Sequence, residues 1–170
     1  MNIILCGLPK CGKSTVGKAL AKRLQWPFID TDSGIEEAYA ASTGKKCSCR
    51  EIFIQEGERF FRELETQQIN ALETTRVVIS LGGGALCDPV NESVLKSLGR
   101  IVYLKVPSHT VLKRIAAHGP PAFMDTPFLE LVQHRTPAYE KAADCIVETK
   151  GMTVSQIVNF LVEWSDKHGE

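Results

Sequence analysis

Nine consecutive residues near the start of the chain are of the types needed to grip a triphosphate. Gly7-Leu8-Pro9-Lys10-Cys11-Gly12-Lys13-Ser14-Thr15 has the spacing G-x-x-x-x-G-K-S of a phosphate-binding loop. It follows the apolar run 2–6 and precedes a stretch with helical periodicity, the context that the pattern requires. Glycines at 7 and 12 let the backbone turn its N–H groups inward around phosphate oxygens. A helix opening near Lys13 brings its positive end to the same point. Lys13 then reaches the β- and γ-phosphates, and the Ser14 hydroxyl suits Mg²⁺. Cys11 reads as a small loop filler or, beside Lys13, as an oxidation-prone thiol.

Further along, acids and guanidinium groups stand at places where an α/β sheet collects ligands. Asp30 and Asp32 close the run Phe28-Ile29-Asp30-Thr31-Asp32. Two carboxylates near a triphosphate suit a metal ion at one and a substrate hydroxyl at the other. Alternatively, Asp32-Ser33-Gly34 is simply the N-cap of the next helix. Arg62 and Glu65 are three residues apart on a helical stretch, a spacing that by itself reads as a solvated surface pair. Gly82-Gly83-Gly84 follows the apolar run 76–81 directly, which points to backbone approaching a ligand closely rather than to a linker.

These residues need elements to hold them. Helical spacing covers 15–24, with Lys22 and Arg23 in its last turn, and Trp26-Pro27 ends it. Helices are also expected at 35–41, through 51–74 with a break at Gly57, and at 91–98, 108–117 and 153–164. Between 128 and 143 the pattern predicts two helices separated at Thr136-Pro137. The runs 1–6, 28–32, 76–81, 101–106 and 145–148 read as strands. Five strands alternating with helices predict a parallel α/β sheet covered on both sides.

Composition limits the rest. At 170 residues the chain is expected to be one domain, 1–170, with a real core. Lys+Arg and Asp+Glu are 20 each, so net charge gives no argument for nucleic acid or an anionic membrane. No apolar run approaches the roughly 20 residues of a membrane span. The phosphate loop starts too early to leave room for a leader, so a cytoplasmic protein is expected, and a neutral surface with 170 residues makes a monomer the expectation. Six cysteines without CxxC pairs read as free thiols rather than a zinc site.

Taken together the motifs resemble the shikimate kinases. Gly7-x-x-x-x-Gly12-Lys13-Ser14, Phe28-Ile29-Asp30-Thr31-Asp32, Ile52-Phe53 with Glu56-Gly57-Glu58, Phe61-Arg62-x-x-Glu65, Ser80 to Gly84, and Arg135-x-Pro137-x-Tyr139 occur in that family's order. The resemblance implies the three-layer P-loop kinase fold, with a five-stranded parallel sheet in the order 2-3-1-4-5. It also implies a substrate-binding segment at about 33–62 and a short lid at about 116–127. ATP and Mg²⁺ would be the cofactors, and shikimate would be the substrate. Lys10, Cys11, Gly12, Lys13, Ser14 and Thr15 would cradle the phosphates, with Arg114 against adenine and Thr149–Met152 nearby. Ser14 and Asp30 would hold the metal. Asp32 would orient the reacting hydroxyl and accept its proton, making it catalytic together with Lys13. Arg62 and Arg135 would clamp the carboxylate, Glu65 would hold Arg62, and Gly83 and Gly84 would offer backbone contacts.

Two departures from the family pattern stand out. Lys10 replaces a usual glycine, and no arginine lies between Ile115 and Arg135, where the family carries a lid arginine for the transferring group. An arginine of that kind contributes on the order of 10³ or more to rate. Lys10, Lys113 or Arg114 would have to supply that charge. A gluconate-type kinase, or a degenerate nucleotide-binding module without turnover, are the alternatives.

Overall fold

A computed structural model describes residues 1–72, 75–118 and 127–168. The expected lid lies largely outside them, at 119–126. The middle of the molecule is the strand β1 (Asn2–Cys6), buried at every position. From Ile3 to Cys6 its side chains are apolar on both faces, which only a strand covered on both sides tolerates. Around it a five-stranded parallel sheet has the order β2-β3-β1-β4-β5, from β2 (Phe28–Asp30), β3 (Val78–Ser80), β4 (Gly99–Lys105) and β5 (Cys145–Glu148). Ile4 pairs with Ile79 on one side and with Ile101 on the other, so the register stacks aliphatic residues across the sheet.

The helices are α1 (Lys13–Leu24), α2 (Thr31–Thr43), α3 (Cys49–Glu56), α4 (Glu58–Asn70), α5 (Pro89–Leu98), α6 (Ser108–His118), α7 (Phe128–Ala142) and α8 (Val154–His168). α1 packs on α8 and on β3, and α5 and α7 pack on β4. Leu20, Val102 and Leu161 are fully buried in the main core. A smaller core of Ile35, Tyr39, Cys49, Ile52 and Phe61 joins α2, α3 and α4 into a unit beside the sheet. α3 opens with a capping box between Ser48 and Glu51, and Gly57 at φ 85° separates α3 from α4 as the sequence predicts.

Two sequence expectations are corrected. β2 stops at Asp30 and α2 begins at Thr31, so Asp32 lies in a first helical turn rather than in a strand. The cap is Asp30, whose Oδ1 accepts from the Asp32 N–H at 3.1 Å. In addition, α7 runs unbroken through Pro137. Proline inside a helix costs about 3 kcal/mol through its lost N–H and ring clash. Packing outweighs that cost here, because Phe128, Leu131, Arg135, Tyr139 and Ala142 recur at helical spacing and are all buried.

Gly17 shows how tightly α1 meets the sheet. A Cβ there would stand 2.5 Å from Phe28 Cε2 and 3.2 Å from Leu5 Cδ1. Gly17→Val should therefore lose about 2 to 3 kcal/mol of stability by overpacking. Urea unfolding measures this, and a loss below ~0.5 kcal/mol would show that the helix shifts at little cost.

Candidate active site

The carboxyl ends of β1, β2 and β3 converge, and the chemistry-bearing residues lie on the segments that leave them. In a parallel α/β sheet that edge is where ligands bind. After β1 the chain enters the phosphate loop with positive φ at Gly7 (146°), Lys10 (60°) and Gly12 (104°). Gly7 tolerates no side chain, because a Cβ would come within 2.8 Å of the Leu104 carbonyl and 3.0 Å of Cys11 Sγ. α1 then starts with no side-chain cap and no acid in its first turn. Its leading N–H groups and positive dipole end therefore face the loop, as an anion site requires. The buried Lys13 ammonium donates to the Gly7 and Leu8 carbonyls at 2.9 and 3.0 Å. Cys11 is buried as loop filler, 3.7 Å from that ammonium.

Ser14 Oγ donates to Asp30 Oδ2 at 2.6 Å and lies 3.4 Å from Ser80 Oγ. Small oxygen donors grouped beside a phosphate nest suit a hard divalent cation that completes its shell with phosphate and water. Among the described residues no three His, Cys, Asp or Glu side chains are grouped to hold a metal by themselves. Asp32 sits deeper. Burial, and secondly the charge of Asp30, push its carboxyl up to about 6, while Lys13 pulls the other way.

Glu65 is 1% exposed, so the Arg62–Glu65 pair at 2.8 Å is not the solvated surface pair that spacing alone suggests. Removing Arg62 would strand the buried Glu65 carboxylate, which is the costly half of this half-buried pair. Arg62 also sits over the Phe61 ring, 5.7 Å from its centroid. Arg135, on α7, is likewise buried.

The glycine run is where these groups meet. A Cβ on Gly82 would lie 2.6 Å from Asp32 Oδ1 and 3.0 Å from Glu65 Oε1. On Gly83 it would lie 2.8 Å from Arg135 Nη1, and on Gly84 it would collide with the Arg62 guanidinium. Each glycine thus yields space to a different functional side chain. The Gly82 N–H is pinned by Thr31 Oγ1 at 2.9 Å.

Two cavities adjoin at this run. One of about 710 Å³ is lined by the phosphate loop, Asp30, Asp32, Gly83, Arg114, Thr149 and Met152. The other, of about 790 Å³, is lined by Phe53, Arg62, Gly84, Cys87, His134 and Arg135. Lys10, Cys11, Gly12, Lys13, Ser14 and Thr15 all border the first cavity. Arg114 donates from Nη1 to the Lys10 carbonyl at 2.9 Å, bringing α6 onto the loop. The sequence pattern assigns no role to Thr31, Ser80 or His134. Thr31 and Ser80 carry a local signal, as hydroxyls at strand ends within the motifs above, whereas His134 carries none.

A family model described as shikimate kinase matches residues 9–166. A protein of Francisella tularensis subsp. holarctica named shikimate kinase is 42% identical, with 95% of each chain covered. The structure of the shikimate kinase from Acinetobacter baumannii in complex with shikimate has a TM-score of 0.84 at 31% identity, covering 98% of this chain and 93% of that one. That of Bacteroides thetaiotaomicron has a TM-score of 0.84 at 29% identity, with 98% of each chain covered.

Two alanine variants separate the two halves of the site. Gly84→Ala should displace Arg62 and raise the KM for the acid substrate about tenfold with the nucleotide KM unchanged. Gly82→Ala should instead act on Asp32 and lower kcat about tenfold or more. Steady-state kinetics of both variants decides, and identical kinetic patterns would contradict the assignment.

Proposed function

The chain belongs to the shikimate kinase family, and on that premise we propose how its own residues perform the family's reaction. It is an enzyme that phosphorylates the 3-hydroxyl of shikimate with ATP, giving shikimate 3-phosphate and ADP on the route to chorismate and the aromatic amino acids. The observation that carries the assignment of residues is the glycine run, which draws Asp32, Arg62 and Arg135 to the seam between two adjoining cavities.

ATP occupies the cavity of the phosphate loop, its β- and γ-phosphates on the loop N–H groups and Lys13. Phosphate oxygens would take over Lys13 from the Gly7 and Leu8 carbonyls. Ser14 and Asp30 would hold Mg²⁺, which when bound would neutralise charge on the phosphate oxygens. Arg114, Thr149 and Met152 border the adenine end. Shikimate occupies the second cavity, within the segment of about 33–62 and α7. Its carboxylate lies between Arg62 and Arg135, whose planar forks of donors match two oxygens. Glu65 holds Arg62 in place. The 3-hydroxyl faces Asp32, whose carboxylate orients the oxygen and accepts its proton as that oxygen attacks the γ-phosphorus and the bond to the β-phosphate oxygen breaks. A half-buried carboxyl held near 6 is a better proton acceptor than an ordinary aspartate.

No arginine lies between Ile115 and Arg135, so the charge on the transferring group needs another source. Lys10 supplies it. It stands at the rim of the first cavity in a left-handed conformation, with its carbonyl fixed by Arg114. We further propose a cytoplasmic monomer. Among the described residues no helix is long and apolar enough to cross a membrane.

ADP release with Mg²⁺–ATP should depend on shikimate, with gluconate and a nucleoside monophosphate inert. Nucleotide binding without turnover on any of the three would favour a degenerate binding module. Lys10→Ala should lower kcat on the order of tenfold to a hundredfold with KM values little changed. An unchanged kcat would remove Lys10 from the mechanism.

A further inference from the structure

Tyr139 is a buried phenol that the mechanism above does not use. It lies on α7 four residues after Arg135, on the same buried face. Its ring packs against Tyr103 with centroids 5.2 Å apart, and Tyr103 in turn lies 3.6 Å from where a Cβ on Gly7 would be. The phenol therefore sits between the phosphate loop and the glycine run. Its hydroxyl donates to the carbonyl of Gly83. Burial keeps the phenol well above its ordinary pKa, so the hydroxyl retains its proton.

Peptide geometry turns this contact into a statement about the substrate side. The Gly83–Gly84 peptide is trans, so the Gly83 carbonyl and the Gly84 N–H point in opposite directions in one plane. Fixing the carbonyl on Tyr139 fixes the N–H on the other side, and Gly84 lines the second cavity beside Arg62 and Arg135. Among the described residues the Gly84 N–H meets no protein acceptor. A glycine peptide otherwise rotates readily, because neither residue has a Cβ to restrict it. The same contact sets α7 against the run, where Arg135 Nη1 comes within 2.8 Å of a Gly83 Cβ position.

We propose that Tyr139 is a positioning residue for the acid substrate: by holding the Gly83 carbonyl it aims the Gly84 N–H into the carboxylate site and fixes the distance of Arg135 from it. This deepens the reading of the second cavity and rests on it. Tyr139 touches neither substrate nor nucleotide, so its effect is confined to recognition of the carboxylate.

Tyr139→Phe keeps the ring on Tyr103 and removes only the hydroxyl. The shikimate KM should rise about tenfold, with the ATP KM within twofold and kcat within threefold. Preference for shikimate over its methyl ester in kcat/KM should fall by a similar factor. Tyr103→Phe, which removes a hydroxyl from the other ring of the pair, should leave that preference within threefold. Equal increases in both KM values, or an unchanged preference, would overturn the proposal. An amide NMR titration of the unmodified protein needs no variant to fold. The Gly84 N–H signal should move on adding shikimate and move far less on adding ADP. A Gly84 signal indifferent to shikimate would overturn the aim assigned to Tyr139. Wild-type turnover on shikimate is the separate control, since its loss would undo the functional reading rather than this inference.

Discussion

The site depends on a stretch of backbone that passes between charged side chains more closely than any Cβ allows. Gly82 faces Asp32 and Glu65, Gly83 faces Arg135, and Gly84 faces Arg62. That approach is only as accurate as the strand that delivers it. β3 is held beside β1 by its register, with Ser80 opposite Leu5, and the Leu81 N–H bonds to the Leu5 carbonyl at 3.0 Å. The run therefore emerges next to the phosphate loop, and Pro9 lies 3.3 Å from a Gly83 Cβ position. Parallel pairing of two buried strands thus sets the distance between the nucleotide side and the acid side. Loops anchored on such a scaffold hold reacting groups within the narrow tolerance that phosphoryl transfer demands.

Crowding of like charge is the second organising feature. Asp30, Asp32, Glu36 and Glu65 gather around the ends of β2 and β3, and three of them are tied to specific donors. Asp30 accepts from Ser14 and from the Asp32 N–H, Glu65 from Arg62, and Glu36 from the Cys49 N–H at 2.9 Å. Asp32 bears the consequence, because burial and its acidic neighbours together hold its carboxyl up. A functional carboxylate is tuned in this way without any special group of its own. Cys49 adds a mechanical link, its thiol donating to the Asp32 carbonyl at 3.4 Å and tying α3 to the first turn of α2.

Lys10 is the departure that most alters the local physics. A left-handed conformation costs a non-glycine residue about 1 to 2 kcal/mol, and strain of this kind persists where the surroundings over-determine it. The Arg114 guanidinium is part of those surroundings, since it holds the Lys10 carbonyl from α6. The shape of the phosphate loop and the position of α6 are therefore coupled through one hydrogen bond.

The phosphate loop was legible because it is local. Nine adjacent residues contain the turn, the cation and the helix start, and the flanking apolar run and helical period supply the context. The five strands, the break at Gly57 and the close approach at the glycine run were legible for the same reason, since each is written in neighbouring residue types. What neighbours do not encode is depth. The spacing of Arg62 and Glu65 describes a surface pair equally well, and only the packing of α4 on α2, α3 and α5 buries the Glu65 end of it. Pro137 locally forbids a helix, and only the buried face of α7 against β4 and the glycine run overrides it. Asp30 and Asp32 look interchangeable as caps until the backbone decides where β2 stops. Tyr139 stands in the motif Arg135-x-Pro137-x-Tyr139 without a role until tertiary structure brings its hydroxyl to Gly83, 56 residues away in sequence. The sequence determined which groups are available and how the chain turns around phosphate, because those follow from covalent neighbours. Tertiary structure decided which groups are dry, which are paired and which peptide is aimed at the substrate, because burial and orientation belong to contacts between distant segments.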